Sequence, residues 1–199
     1  YTFTDPLLRE IDFSSRRVLV LTTHRRENLG EPMRQIYCAL KDIVQEFPDL
    51  VIVFPVHKNP AVRRVVEEVL GGIERVKLIE PLDYQPFANL MNKSYLVLTD
   101  SGGLQEEAPS LGKPVLVLRE NTERPEAVSA GTVELVGLHR EKIYLTTKKL
   151  LTDKAKYNRM AQAVNPYGDG MASQRIVEAL HHFWGWREDR PSPFSVKGL

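Results

Sequence analysis

The sequence predicts an α/β protein with a parallel sheet covered by helices on both faces. Two observations carry that prediction. Short β-branched runs alternate with helical stretches from about residue 17 to about residue 145. The strand runs are almost continuously apolar, which suits strands buried on both sides and not strands with one wet face. Right-handed crossovers between such strands give a doubly wound, Rossmann-like layer.

The first run covers residues 18–21 and ends in Thr22-Thr23. A helix is predicted next, because Met33, Ile36, Tyr37, Leu40, Ile43, Val44 and Phe47 recur at helical spacing. Asn28 and Glu31 have the spacing of a capping box at its start, and Pro48 stops it. The second run, residues 50–54, is apolar throughout. A second helix over 60–70 ends at Gly71-Gly72. Strand three is expected at 76–79, followed by a helix carrying Phe87, Leu90 and Met91. Strand four is expected at 95–98, with a short helix carrying Leu104, Glu106 and Glu107. Strand five covers 115–118 and a shorter sixth run covers 132–136. The remainder reads as helical, with Ile176, Val177, Leu180, Phe183 and Trp184 forming a last apolar stripe.

The 199 residues are enough for one full domain with a sizeable core. We divide them into a linker or interdomain segment at 1–16, a nucleotide-binding domain at 17–184 and a tail at 185–199. Twenty-seven basic residues face 26 acidic ones, so overall charge favours neither nucleic acid nor an anionic membrane. Any bound anion must be held by a local cluster. The single cysteine, Cys38, excludes an internal disulfide and fits a reducing, cytoplasmic setting. It lies inside a helical pattern, with no neighbouring base to activate it. No stretch approaches the roughly 20 apolar residues that span a bilayer, and no signal peptide opens the chain. The start at Tyr1-Thr2-Phe3 reads like the middle of a longer protein.

Ligands of doubly wound sheets bind beyond the carboxyl ends of the strands. There, four loops bring unusual residues to one edge: Thr23-His24-Arg25-Arg26-Glu27-Asn28, then Pro55-Val56-His57-Lys58-Asn59-Pro60, then Thr99-Asp100-Ser101-Gly102-Gly103, and finally Arg119 with Glu123-Arg124-Pro125-Glu126. Ser101-Gly102-Gly103 follows a buried strand and opens a helix. Glycines let a phosphate approach the backbone, where free N–H groups and the helix dipole favour an anion. A plain strand-to-helix turn has the same sequence signature. His24, Arg25, His57 and Arg124 on the same edge favour the phosphate. Paired arginines beside a histidine suit a diphosphate, which Arg grips in bidentate fashion, although mixed charge on a loop also pairs with itself. His57 can serve a ligand or simply bond its own loop. A carboxylate one turn into the Ser101 helix can reach ribose hydroxyls, and adjacent helical positions let only one of Glu106 and Glu107 face the cleft. A Walker A loop and a G-x-G-x-x-G after strand one are both missing, which argues against ATP hydrolysis and ordinary NAD binding. No metal spacing and no nucleophile–base triad stands out.

These segments, together with Gln105-Glu106-Glu107, Thr122 before Glu123, and Asn165-Pro166-Tyr167-Gly168-Asp169-Gly170, resemble the non-hydrolysing bacterial UDP-N-acetylglucosamine 2-epimerases. The likeness runs to about residue 184, in family order, and matches only the carboxyl-terminal half of the family. It implies one half of a glycosyltransferase-B-like, two-domain enzyme. Such enzymes interconvert UDP-GlcNAc and UDP-ManNAc by UDP elimination and re-addition, without NAD or metal. Carried over, Ser101, Gly102 and Gly103 hold the diphosphate, Glu107 the ribose, and the backbone around Phe87 faces the uracil. Arg124 and His24 lie near the phosphates, and His24 assists elimination. Arg25 and His57 match positions that contact an activating second UDP-GlcNAc. Leu82 stands where some relatives carry a polar residue. The acid and base carboxylates belong to a missing N-terminal domain, and the full-length enzyme is expected as a homodimer serving cell-envelope polysaccharide synthesis. The isolated chain is expected to bind UDP weakly and not to epimerise UDP-GlcNAc. A UDP-sugar glycosyltransferase half and a non-catalytic nucleotide-sugar-binding domain are the rival readings.

Overall fold

The computed structural model describes residues 1–195. Six parallel strands form one sheet: β1 (Arg17–Thr22), β2 (Leu50–Pro55), β3 (Val76–Ile79), β4 (Leu96–Thr99), β5 (Val115–Val117) and β6 (Val133–Leu135). Their order across the sheet is β3-β2-β1-β4-β5-β6, so the chain winds outward from β1 and then from β4 in opposite directions. The predicted doubly wound layer is therefore present. Strand four sits one residue later than expected, because Thr99 pairs with Thr22 and Tyr95 precedes the strand.

The helices are α1 (Pro6–Arg9), α2 (Glu31–Glu46), α3 (Pro60–Leu70), α4 (Tyr84–Lys93), α5 (Leu104–Ser110), α6 (Pro125–Ala130), α7 (Arg140–Thr152), α8 (Lys154–Ala161) and α9 (Ala172–Phe183). All of them except α9 contribute to two apolar layers. On one face α2 lays Met33, Ile36, Tyr37, Leu40, Ile43 and Val44 against Leu19, Leu21, Ile52 and Phe54, all fully buried. Each such side chain contributes roughly 1.5–3 kcal/mol by leaving water. The other layer packs Leu90, Met91, Leu104 and Ala108 onto Val20, Val53, Val97 and Val117. Phe3, Leu8 and Ile11 join that second layer, so the segment expected as a linker or interdomain piece contributes to the core.

Two local expectations need correction. Asn28 does not cap α2. The cap is Gly30, whose φ of 85° falls where side chains are disfavoured, and no side-chain bond closes that end. Asn28 is buried instead in a short 3-10 turn, Arg26–Asn28, with its amide turned to Asp100. The last apolar stripe forms on α9 as expected but does not pack. Ile176, Val177, Leu180, Phe183 and Trp184 are all exposed, and α9 has no buried residue. Beyond it, Arg187 pairs with Glu178, and Arg175 donates to the Ser192 carbonyl. The part of the expected tail from 196 onward lies outside the described residues.

Candidate nucleotide site at the switch point

The sheet reverses its winding between β1 and β4, so the loops leaving these two strands open the crevice of the fold. One is the His24 loop, the other the Ser101 loop. Their strands are joined at the ends by Thr22 and Thr99, whose hydroxyls lie 2.6 Å apart. The Ser101 N–H then donates to Thr99 Oγ1 at 2.9 Å. A hydroxyl ladder thus sets both loop starts at one height.

Asp100 fastens the two loops together. It is fully buried, and its Oδ2 accepts the backbone N–H of His24 and of Arg25, each at 2.9 Å, and the Asn28 amide at 3.2 Å. Its Oδ1 faces His24 Nδ1 at 3.0 Å. Burial raises the Asp100 pKa, but the His24 ring and the two backbone donors outweigh it and hold the carboxyl below its ordinary value. His24 moves the opposite way. Its bond to Asp100 raises its pKa above the usual imidazole value, against partial burial and the charge of Arg25. The His57 ring is inclined by 25° to His24 with centroids 6.3 Å apart, and its Nδ1 accepts the Asn59 N–H at 3.1 Å. His57 therefore bonds its own loop and also faces the crevice histidine.

Gln105 links the Ser101 loop to the fourth loop. It is fully buried, donating to the Ser101 carbonyl at 3.1 Å and accepting from Thr122 Oγ1 at 2.6 Å. Thr122 Oγ1 in turn accepts the Arg124 N–H at 3.0 Å. Arg124 pairs through Nε with Glu106. Arg25 donates through Nε to the Asp100 carbonyl at 3.1 Å and lies 3.6 Å from Glu123. Hydrogen bonds, ion pairs and one ring contact thus join His24, Arg25, His57, the Ser101 loop and Arg124.

Gly102 and Gly103 carry the helix entry. A side-chain carbon added at Gly102 meets nothing within 4 Å, and one at Gly103 meets only Glu107 Oε1, at 3.8 Å. The backbone face is open to a ligand, and Gly103 has no side-chain cap on the N-terminus of α5. Glu106 and Glu107 both line a groove of about 530 Å³ with Asn165, Tyr167, Asp169 and Arg175, and this groove is not lined by Ser101, Gly102, Gly103 or His24. Asn165 fixes its far wall, donating to the Glu106 carbonyl at 3.1 Å and to Ser110 Oγ at 2.6 Å. Phe87 stands apart on α4. Its N–H is taken by the Asp83 carbonyl, and its ring packs on the second core layer beside Leu82.

Sequence reasoning missed Asp100 and Gln105 as individual residues. The available signal was position: each is a polar side chain next to an apolar strand or inside an apolar helix face, which demands partners. Among the described residues no cluster of three or more His, Cys, Asp or Glu side chains could hold a metal ion, and no helix is long and apolar enough to cross a membrane.

The chain is similar to proteins of known family. Residues 3–181 match the family model described as UDP-N-acetylglucosamine 2-epimerase. A UDP-N-acetylglucosamine 2-epimerase of Bacillus subtilis is 52% identical over 195 residues, which is 98% of this chain and 51% of that protein. The S. aureus protein MnaA, solved with UDP, superposes with a TM-score of 0.89 at 45% identity, covering 97% of this chain and 52% of its own. The UDP-GlcNAc 2-epimerase of Neisseria meningitidis, solved with UDP-GlcNAc, gives a TM-score of 0.80 at 48% identity, over 84% and 45% of the two chains. The chain spans about half the length of the curated relatives it matches. It belongs to the UDP-N-acetylglucosamine 2-epimerase family.

Proposed function

We propose that this chain is the UDP-binding half of a UDP-N-acetylglucosamine 2-epimerase. The observation that carries the reading is the convergence at the switch point: an uncapped, glycine-lined helix N-terminus beside His24 and Arg124, in a family whose solved members include complexes with UDP and UDP-GlcNAc. Ser101, Gly102 and Gly103 hold the diphosphate through backbone N–H groups. Arg124 closes on it, Glu107 takes the ribose hydroxyls, and the backbone around Phe87 faces the uracil.

The proposed reaction removes the C2 proton and breaks the C1–O bond, releasing UDP and leaving a glycal. UDP then adds back after the proton returns to the opposite face. The charge that develops on the departing diphosphate lies beside His24, which stabilises it. The acid and base carboxylates come from a second half of the enzyme, so this chain alone binds UDP and does not epimerise. Arg25 and His57 border a place for a second UDP-GlcNAc acting as activator, and the full-length enzyme is a homodimer. Neither NAD nor a metal ion is required.

Calorimetry with UDP, UDP-GlcNAc and ADP tests the reading. UDP and UDP-GlcNAc bind and ADP binds far more weakly. Equal binding of ADP removes the uridine assignment, and turnover of UDP-GlcNAc by the chain itself removes the two-half division of labour.

A further inference from the structure

We propose that Asp100 is the positioning residue for His24, fixing the imidazole with Nδ1–H on the buried carboxylate and presenting Nε2 to the diphosphate. The inference rests on the nucleotide site proposed above but stands on its own geometry. Oδ2 of Asp100 is already saturated by two backbone N–H groups and the Asn28 amide. Oδ1 is buried and has no hydrogen bond of full geometry among the described residues; the His24 ring nitrogen is set against it at 3.0 Å. The 3.0 Å separation is within hydrogen-bonding distance, while the direction of the ring nitrogen falls outside hydrogen-bond geometry, so a small rotation of the imidazole completes the bond.

The protonation of Nδ1 follows from this. A bare Nδ1 would set its lone pair against a buried carboxylate oxygen, an arrangement that costs the full desolvation of that oxygen with nothing in return. With Nδ1 protonated, the carboxylate gains the donor it lacks, and the ring is held at one orientation. Nε2 is then the nitrogen left for a ligand. It is an acceptor in the neutral ring and a donor in the charged one. A buried Asp fixing a histidine's tautomer is a familiar device of hydrolytic active sites. Here the same carboxylate also holds the backbone that carries the ring, so orientation of the loop and of the imidazole have one source.

Among the described residues three other groups face His24. Arg25 adjoins it in the loop and opposes its protonation. The His57 ring comes from the loop after β2, stacked at 6.3 Å. Asp100 comes from the end of β4 and is the only carboxylate among them. The tautomer is therefore set by Asp100, and removing its charge must change it.

The test is long-range proton–nitrogen correlation of the ¹⁵N-labelled 199-residue chain, with His24 assigned by H24Q. The wild-type neutral ring carries its proton on Nδ1, and its titration midpoint lies above the ordinary histidine value of about 6.5. In D100N the new carbonyl still accepts from the two backbone N–H groups and Asn28, but its amide donates to Nδ1. The neutral ring then shifts to the Nε2–H form, and the midpoint falls by about one pH unit or more. A merely structural role for Asp100 changes loop order without this tautomer exchange. A wild-type ring protonated at Nε2, or an unchanged midpoint in folded D100N, overturns the proposal. Should D100N fail to fold, the wild-type tautomer decides alone. The two readings separate cleanly: UDP calorimetry on the wild-type chain tests the nucleotide site, whatever the His24 spectrum shows.

Discussion

The guanidinium of Arg124 donates through Nε to the carboxylate of Glu106, so the cation expected to meet phosphate is already engaged in the free chain. Both side chains are about one-third exposed, at 35% and 38%, and solvent screens the pair. A diphosphate arriving at Ser101-Gly102-Gly103 must compete with Glu106 for that guanidinium. Glu106→Gln removes the competitor and leaves Arg124 free. UDP affinity is expected to rise by about two- to fivefold, the scale of a surface ion pair. Calorimetry at low salt measures it. Weaker binding in the variant, with the fold intact, means that Glu106 orients Arg124 and does not compete with the ligand.

Protonation of His24 gives the site a pH dependence whose sign is fixed. The ring's bond to Asp100 raises its pKa, so the extra positive charge is fully present below about pH 6.5 and is lost as the pH rises through the higher folded value. UDP binding is expected to weaken over that rise. UDP's own phosphate titrates nearby, so the comparison is with H24Q, in which the histidine's share of the slope disappears. Parallel pH profiles for the two proteins remove His24 from diphosphate binding.

Much of the fold was legible because its signals are local. Residues 50–54 announce a buried strand by being apolar throughout, and α2 announces its core face by helical spacing, which the packing of Ile36, Tyr37 and Leu40 bears out. Ser101-Gly102-Gly103 was also legible, since a strand, a glycine pair and a helix start are consecutive. What escaped depends on contacts far apart in the chain. Asp100 holds a backbone N–H 76 residues away, and nothing near it in sequence shows that its carboxylate is buried. The same contact misdirected the reading of Asn28: its amide has a partner 72 residues on, while Gly30 takes over the helix start.

The two amphipathic helices α2 and α9 look alike as patterns and differ in packing. Leu40 and Ile36 on α2 are fully buried, whereas Leu180 and Ile176 on α9 are 42% and 60% exposed. Truncating a packed aliphatic side chain removes its transfer energy and leaves a cavity. Leu40→Ala or Ile36→Ala is expected to cost about 2–5 kcal/mol in urea denaturation of this chain. Leu180→Ala or Ile176→Ala is expected to stay within about 0.5 kcal/mol. Comparable losses on both helices show that the α9 face is covered in solution.

Gly102 separates binding from folding most directly. An added methyl there has nothing within 4 Å, so Gly102→Ala introduces no clash in the free chain. Among the described residues its φ is not one of the positive values that only glycine tolerates. Stability is therefore expected to change by less than about 0.5 kcal/mol. The methyl does occupy the space through which a phosphate oxygen reaches the backbone N–H groups at the start of α5. UDP affinity is expected to fall at least about tenfold, equivalent to the loss of one charge-assisted hydrogen bond. Thermal unfolding and calorimetry on one preparation read both quantities. A stable variant that still binds UDP normally places the diphosphate elsewhere, because no ligand can use that backbone and ignore a methyl group set upon it.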